Sequence, residues 1–238
     1  MATNNIPQDP KERDKYFLNQ IENDNFIHNW REITSTYKNH HATFYMSEKP
    51  LMVDNTFITV SAQSQQIIAD ILNASLPTAK SLDLRHQQCD ISIIPLPREI
   101  TNSTQALIDQ TAKINREIKR FFPNVSLENK LISNLGKIWC LSNKLSPTIA
   151  MNYGWYNKTV IYSGITCYPS ATIPNLYVIQ PKSTWHNPQH QDYSQQAIFL
   201  RGSVLVDNNL LTLTDVLTDP ELSYLISEEG ILNKLKQP

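Results

Sequence analysis

The sequence predicts an α+β fold, with a mostly helical N-terminal half packed on an antiparallel or mixed sheet from the C-terminal half. Three observations lead there. Before about residue 125, apolar residues recur mainly at helical spacing. From about 131 onward, short β-branched and aromatic runs alternate with turns. The two kinds of segment do not alternate as βαβ units, so a parallel, doubly wound sheet is not expected.

The elements follow in order. Residues 1–16 are polar and read as a tail, leaving 17–238 as one α+β domain, with a sub-boundary near 125 as the alternative division. Residues 17–38 carry Phe17, Leu18, Ile21, Phe26, Ile27, Trp30 and Ile33, loosely at helical spacing. Residues 43–60, in and around HATFYM and FITV, read as strands. Ser61 is a good N-cap for a helix striped by Ile67, Ile68, Ile71 and Leu72. Thr78 caps a second helix running to about Cys89, and ISIIPLP is extended because residues before proline avoid the helical region. A longer helix spans about 102–122. Strands then dominate, ending in a hairpin turning at Asp207, Asn208 and Asn209. Asp219-Pro220 opens a helical end, and a last short helix starts near Ser227.

Composition narrows the function. Hydrophobic residues are 40% and charged residues 18%, a globular balance, and the net charge of −1 leaves no nucleic-acid footprint. Only five glycines occur, none at phosphate-loop spacing, which argues against a dinucleotide fold or a P-loop. The first residues have no apolar core resembling a signal peptide, and no apolar run is long enough to span a bilayer. The cytoplasm is the default compartment, and export without a cleaved signal would leave the same sequence. Cys89, Cys140 and Cys167 are odd in number and widely spaced, unlike a disulfide framework. Composition does not fix the oligomeric state.

The densest polar cluster runs from Gln180 to Gln196, between two apolar strands, and binding groups favour such framed loops. Three chemistries compete for it. In the first, Ser194 attacks, His186 takes its proton and Asp192 orients the imidazole, although no G-x-S-x-G elbow surrounds the serine. In the second, His186, His190 and Asp192 bind zinc or iron, with Pro188 interrupting the register between the histidines. In the third, His186 and Asp192 bind or deprotonate a ligand while Trp185 and Tyr193 offer stacking surfaces. Lys137 stands out as a lysine in an apolar strand, and Cys140, in the same strand, could pair with His186.

The run Lys137, Asn143-Lys144-Leu145, Tyr153-Gly154-Trp155, Ile179-Gln180-Pro181, His186 and Asp192-Tyr193-Ser194 resembles a family of bacterial proteins. Its pattern is K, N-x-L, Y-G-W-H, I-Q-P, H and D-Y-S-H/Q, with Thr78 and Asp83 matching an upstream T-x-x-x-x-D, and it covers about 45–235. The chain departs from the pattern at Tyr156 and Gln195, where histidines can stand. The family is uncharacterised and has no established activity, so the resemblance selects residues and lends no reaction.

The expectation is a hydrolase-like enzyme acting on an amide, ester or glycosidic bond, with a cell-envelope polymer such as peptidoglycan as the candidate substrate. His186, Asp192, Ser194 and Lys137 are the catalytic candidates. Trp185, Tyr193, Gln180, Asn143 and Trp155 are the binding candidates, with Gln180 and Asn143 as donors to an oxyanion. No cofactor is expected, zinc on His186, His190 and Asp192 being the alternative. The competing class is a sugar- or peptide-binding module, or an exported effector or toxin that binds a partner protein.

Overall fold

The structure, a computed structural model, describes residues 5–238. It is an α+β fold with antiparallel main sheets. The expected tail falls partly on residues 1–4, outside the described residues.

Helix α1 (Pro10–Glu22) occupies part of that expected tail. The Asp9 carboxylate accepts from Lys11 N and Glu12 N, and proline fills the first helical position. Phe17 and Ile21, one turn apart, are buried. The helical spacing over 17–38 does not continue, because the chain leaves the helix after Glu22 and Asp24 takes a left-handed φ of 57°. Strand β1 (Trp30–Tyr37) follows, where Ile33, Thr34, Thr36 and Tyr37 suit a pleated surface better than a helix. It pairs with β2 (His40–Ser47) across a two-residue turn.

Ser61 caps α2 (Ala62–Ile71), accepting from Ser64 N at 3.2 Å. The short strand β3 (Ala74–Ser75) leads to α3 (Ala79–Gln87). Thr78 and Ser81 form a reciprocal capping box there, and the Thr78 hydroxyl also donates to Ile226 O. Thr78→Ala is therefore expected to lower the unfolding free energy by about 1–2 kcal/mol. A urea midpoint equal to that of the parent would contradict this role. Helix α4 (Thr104–Phe121) buries Leu107, Thr111, Ile114 and Ile118 along one stripe.

The second half supplies β4 (Lys137–Trp139), β5 (Asn152–Asn157), β6 (Tyr168–Pro169) and β7 (Tyr177–Gln180). They form one antiparallel sheet in the order β6-β7-β5-β4. Strands β8 (Leu200–Val206) and β9 (Asn209–Thr212) form the closing hairpin. Its turn is two residues, Asp207 and Asn208, both left-handed, so Asn209 belongs to the strand. The hairpin joins the N-terminal strands in a second sheet ordered β1-β2-β8-β9, with β3 also on β8. Helix α5 (Leu213–Thr218) starts earlier than the expected Asp219-Pro220 helix, because Thr212 caps it, accepting from Asp215 N at 3.1 Å. The Asp219 carboxylate instead accepts from Glu221 N and Leu222 N at the entry to a 3-10 turn at Leu222–Leu225, and residues from Ser227 onward form turns and irregular chain, not a helix.

The largest buried cluster draws on Phe17, Phe44, Met46, Trp139, Phe199 and Leu232, so it joins residues on both sides of position 125. No described helix is long and apolar enough to cross a membrane.

Candidate functional site

The site lies on one face of the β6-β7-β5-β4 sheet. Strand alternation puts Lys137 and Trp139 on the same face. Their antiparallel partners Gly154 and Asn152 share that face, and Gln180 lies across Gly154 on β7. His186 bridges Ala150, two residues before Asn152, and so extends the same face.

Two glycines shape it. A Cβ at Gly136 would meet Ser194 O at 2.3 Å, so only glycine lets the 194–196 segment lie against β4. That segment pairs there, with Lys137 N donating to Ser194 O and Gln196 N to Lys137 O, each at 2.7 Å. Gly154 has φ +137° and is followed by Trp155 at φ +59°, a left-handed conformation that is rare for a bulky residue and costs about 1–3 kcal/mol. The break in alternation brings the Trp155 ring within 5.8 Å of Lys137 Nζ.

Asp192, 2% exposed, is the hub. Lys137 Nζ donates to its Oδ2 at 2.8 Å. Ser194 N donates to its Oδ1 at 2.7 Å, and the Ser194 hydroxyl donates to the same oxygen. Gln195 Oε1 fixes the loop by accepting from Asp192 N at 2.8 Å. His190 Nε2 stands 3.6 Å from Oδ2, too far for a direct hydrogen bond. Burial pushes this carboxyl up, but His190, the Lys137 ammonium and the Ser194 hydroxyl outweigh it and hold it well below the usual carboxylate range. At 2.8 Å against 3.6 Å, we assign most of that effect to Lys137.

The imidazoles of His186 and His190 stack with centroids 4.6 Å apart, and both meet the Trp139 ring edge-on. Burial, helped by His190 and Lys137, lowers the His186 pKa to about 4, with Asp192 opposing, so this ring is neutral at pH 7. Among the described residues both Nε2 atoms are buried with no hydrogen-bond partner, as are both polar atoms of the Asn152 carboxamide. Buried polar atoms of this kind normally find partners, so these four stand out as unsatisfied.

The structure therefore brings together His186, Asp192, Ser194, Lys137 and Trp155. It does not form the Ser-His-Asp order of contacts, because the buried Ser194 hydroxyl points at the carboxylate. Nor do His186, His190 and Asp192 form a metal site. Lys137 already takes Asp192 Oδ2, and among the described residues no group of three His, Cys, Asp or Glu could hold a metal ion. Cys140 is fully buried and burial pushes its thiol strongly up, so it is not a competent nucleophile.

Several binding candidates serve the backbone instead. Asn143 donates to Ile231 O and accepts from Asn233 N, tying down the C-terminal segment, so it is not an oxyanion donor. The Tyr193 hydroxyl is held by Arg98 N and Arg98 O. Gln180 Nε2 donates to Pro181 O at 2.9 Å. Trp185 is 80% exposed at the loop tip, apart from the buried cluster. Sequence reasoning missed Trp139 and Asn152 as members of the site. Their signal was the alternation Lys137-x-Trp139 and Asn152-x-Gly154, readable only once the strand pairing is known.

Comparison with protein families, with curated proteins and with solved structures returns no match. The functional reading accordingly rests on the geometry.

Proposed function

We propose that the chain is a hydrolase-like enzyme in which water, not Ser194, is the nucleophile. The carrying observation is a neutral His186 imidazole, its Nε2 unpartnered among the described residues, set against the buried Lys137–Asp192 pair. A neutral imidazole accepts a proton from water, the resulting hydroxide adds to the scissile centre, and the imidazolium returns the proton to the leaving group. His190 stacks on that ring, and the Asp192 carboxylate favours the protonated form of His186. Ser194 positions Asp192 by donating to it. The scissile bond is an amide, ester or glycosidic bond, and a cell-envelope polymer such as peptidoglycan is the substrate we favour.

Chromogenic p-nitrophenyl esters, peptide anilides, p-nitrophenyl glycosides and purified peptidoglycan form the test panel. One class is expected to turn over. His186→Ala and His190→Ala should each lower the rate about 10²–10⁴-fold, whereas Ser194→Ala should leave a serine-independent activity that fluorophosphonate does not label. Loss on Ser194→Ala as deep as on His186→Ala, with covalent labelling of the serine, would restore the nucleophilic serine. No turnover of any class would overturn the enzymatic reading.

A second reading, a non-catalytic sugar- or peptide-binding module or an exported effector, is favoured by one observation, the exposed Trp185 at the loop tip.

A further inference from the structure

A second polar concavity lies outside the Lys137–Asp192 cluster. It is a groove of about 620 Å³ between α1, the start of α2 and the outer edge of the 186–192 loop. Gln189 and Gln191 line it, while the alternate residues His190 and Asp192 face the sheet. One loop therefore serves two sites.

The inner wall is built around Asp14, which is 8% exposed. Its Oδ2 accepts from the hydroxyls of Ser61 at 2.7 Å and Ser64 at 2.6 Å, and from Ser61 N at 3.4 Å. Among the described residues its Oδ1 has no partner. A carboxylate saturated on one oxygen and bare on the other calls for a donor. Opposite it, Gln189 Nε2 donates to Gln63 Oε1 at 3.3 Å. That leaves the Gln189 acceptor and the Gln63 donor without partners among the described residues. Gln191 is fixed behind them, accepting from Arg13 Nη2 at 3.1 Å and donating to Pro10 O at 3.3 Å.

We propose that this groove binds a neutral saccharide. Hydroxyl groups donate and accept at once, which matches a bare carboxylate oxygen beside one free carboxamide donor and one free acceptor. The Pro10 ring and the Leu18 side chain give the C–H face of a sugar an apolar surface. The charges lining the groove cancel, with Asp9 and Asp14 against Lys11 and Lys15. An anion would meet the Asp14 carboxylate, and a cation would meet two lysines. A peptide backbone finds no strand edge to pair with here, because the walls are helices and loop side chains. The proposal stands independently of the catalytic reading.

The test is side-chain amide NMR of the full chain titrated with chito-, cello- and malto-oligosaccharides, with trigalacturonate and pentaglycine as comparison probes. At least one neutral oligosaccharide should give saturable shifts at the Gln63 and Gln189 amides. Gln63→Ala, an exposed position whose circular dichroism should match the parent, should weaken binding about tenfold. His186→Ala should bind as the parent does, which separates this site from the imidazole pair. The proposal is overturned if no neutral oligosaccharide shifts these amides, if Gln63→Ala or His186→Ala behaves otherwise, or if pentaglycine or trigalacturonate binds in preference.

Discussion

Lys137→Met is expected to lower the unfolding free energy by about 3–5 kcal/mol, because it leaves the Asp192 carboxylate buried without its closest cation. The Ser194 amide and hydroxyl remain as donors, but neither neutralises the charge. Asp192→Asn strands the ammonium in the same way. The double variant, which removes both charges together, should be more stable than Lys137→Met alone, with a coupling energy of about 1–3 kcal/mol. Urea unfolding of the four proteins measures this. A Lys137→Met midpoint indistinguishable from the parent would show that the pair is solvated and not the buried hub described above.

The second large effect is on acid stability. Burial lowers His28, His86 and His186 to about 4 each, against an ordinary value of 6.5. Between those values the unfolded chain binds protons that the folded chain does not, so stability rises with pH across that window and is lost on acidification from about 6.5 toward 4. Three such groups give a slope of at most about 4 kcal/mol per pH unit. Asp14 and Asp83, raised by burial, act with the opposite sign above 3.8 and reduce it. Asp192 is held low, so its contribution persists through this window and is lost below 3.8. Urea midpoints measured at pH 7, 6 and 5 should fall steadily. A flat profile would mean that these imidazoles are not buried as neutral groups.

Local signals in the sequence carried far, and non-local pairings did not. Ser61, Thr78 and the Asp207-Asn208 turn act within a few residues, so their elements were legible. Residues 30–37 were misread because Phe26, Trp30 and Ile33 mimic helical spacing, whereas pairing with β2 decides their conformation. The polar start was read as a tail, yet Arg13 is buried by bonding Thr104 and Gln191, 91 and 178 residues away. At the site, Lys137 was conspicuous as a charge in an apolar strand, but its partner lies 55 residues on. Sequence proximity suggested that Ser194 and His186 share a proton. Only the fold shows which way the hydroxyl turns. Asn143 and Tyr193 have the chemistry of binding groups, and the backbone consumes both.

The most direct test of the proton-transfer site is long-range ¹⁵N–¹H NMR of the imidazoles as a function of pH, with His186 assigned by the His186→Gln variant. A neutral ring at pH 7 that protonates only near pH 4, and at higher pH once Lys137 is replaced by methionine, is the predicted result. A midpoint near 6.5 that ignores Lys137 would place the His186 ring in open solvent, away from the Lys137–Asp192 pair, and contradict the account.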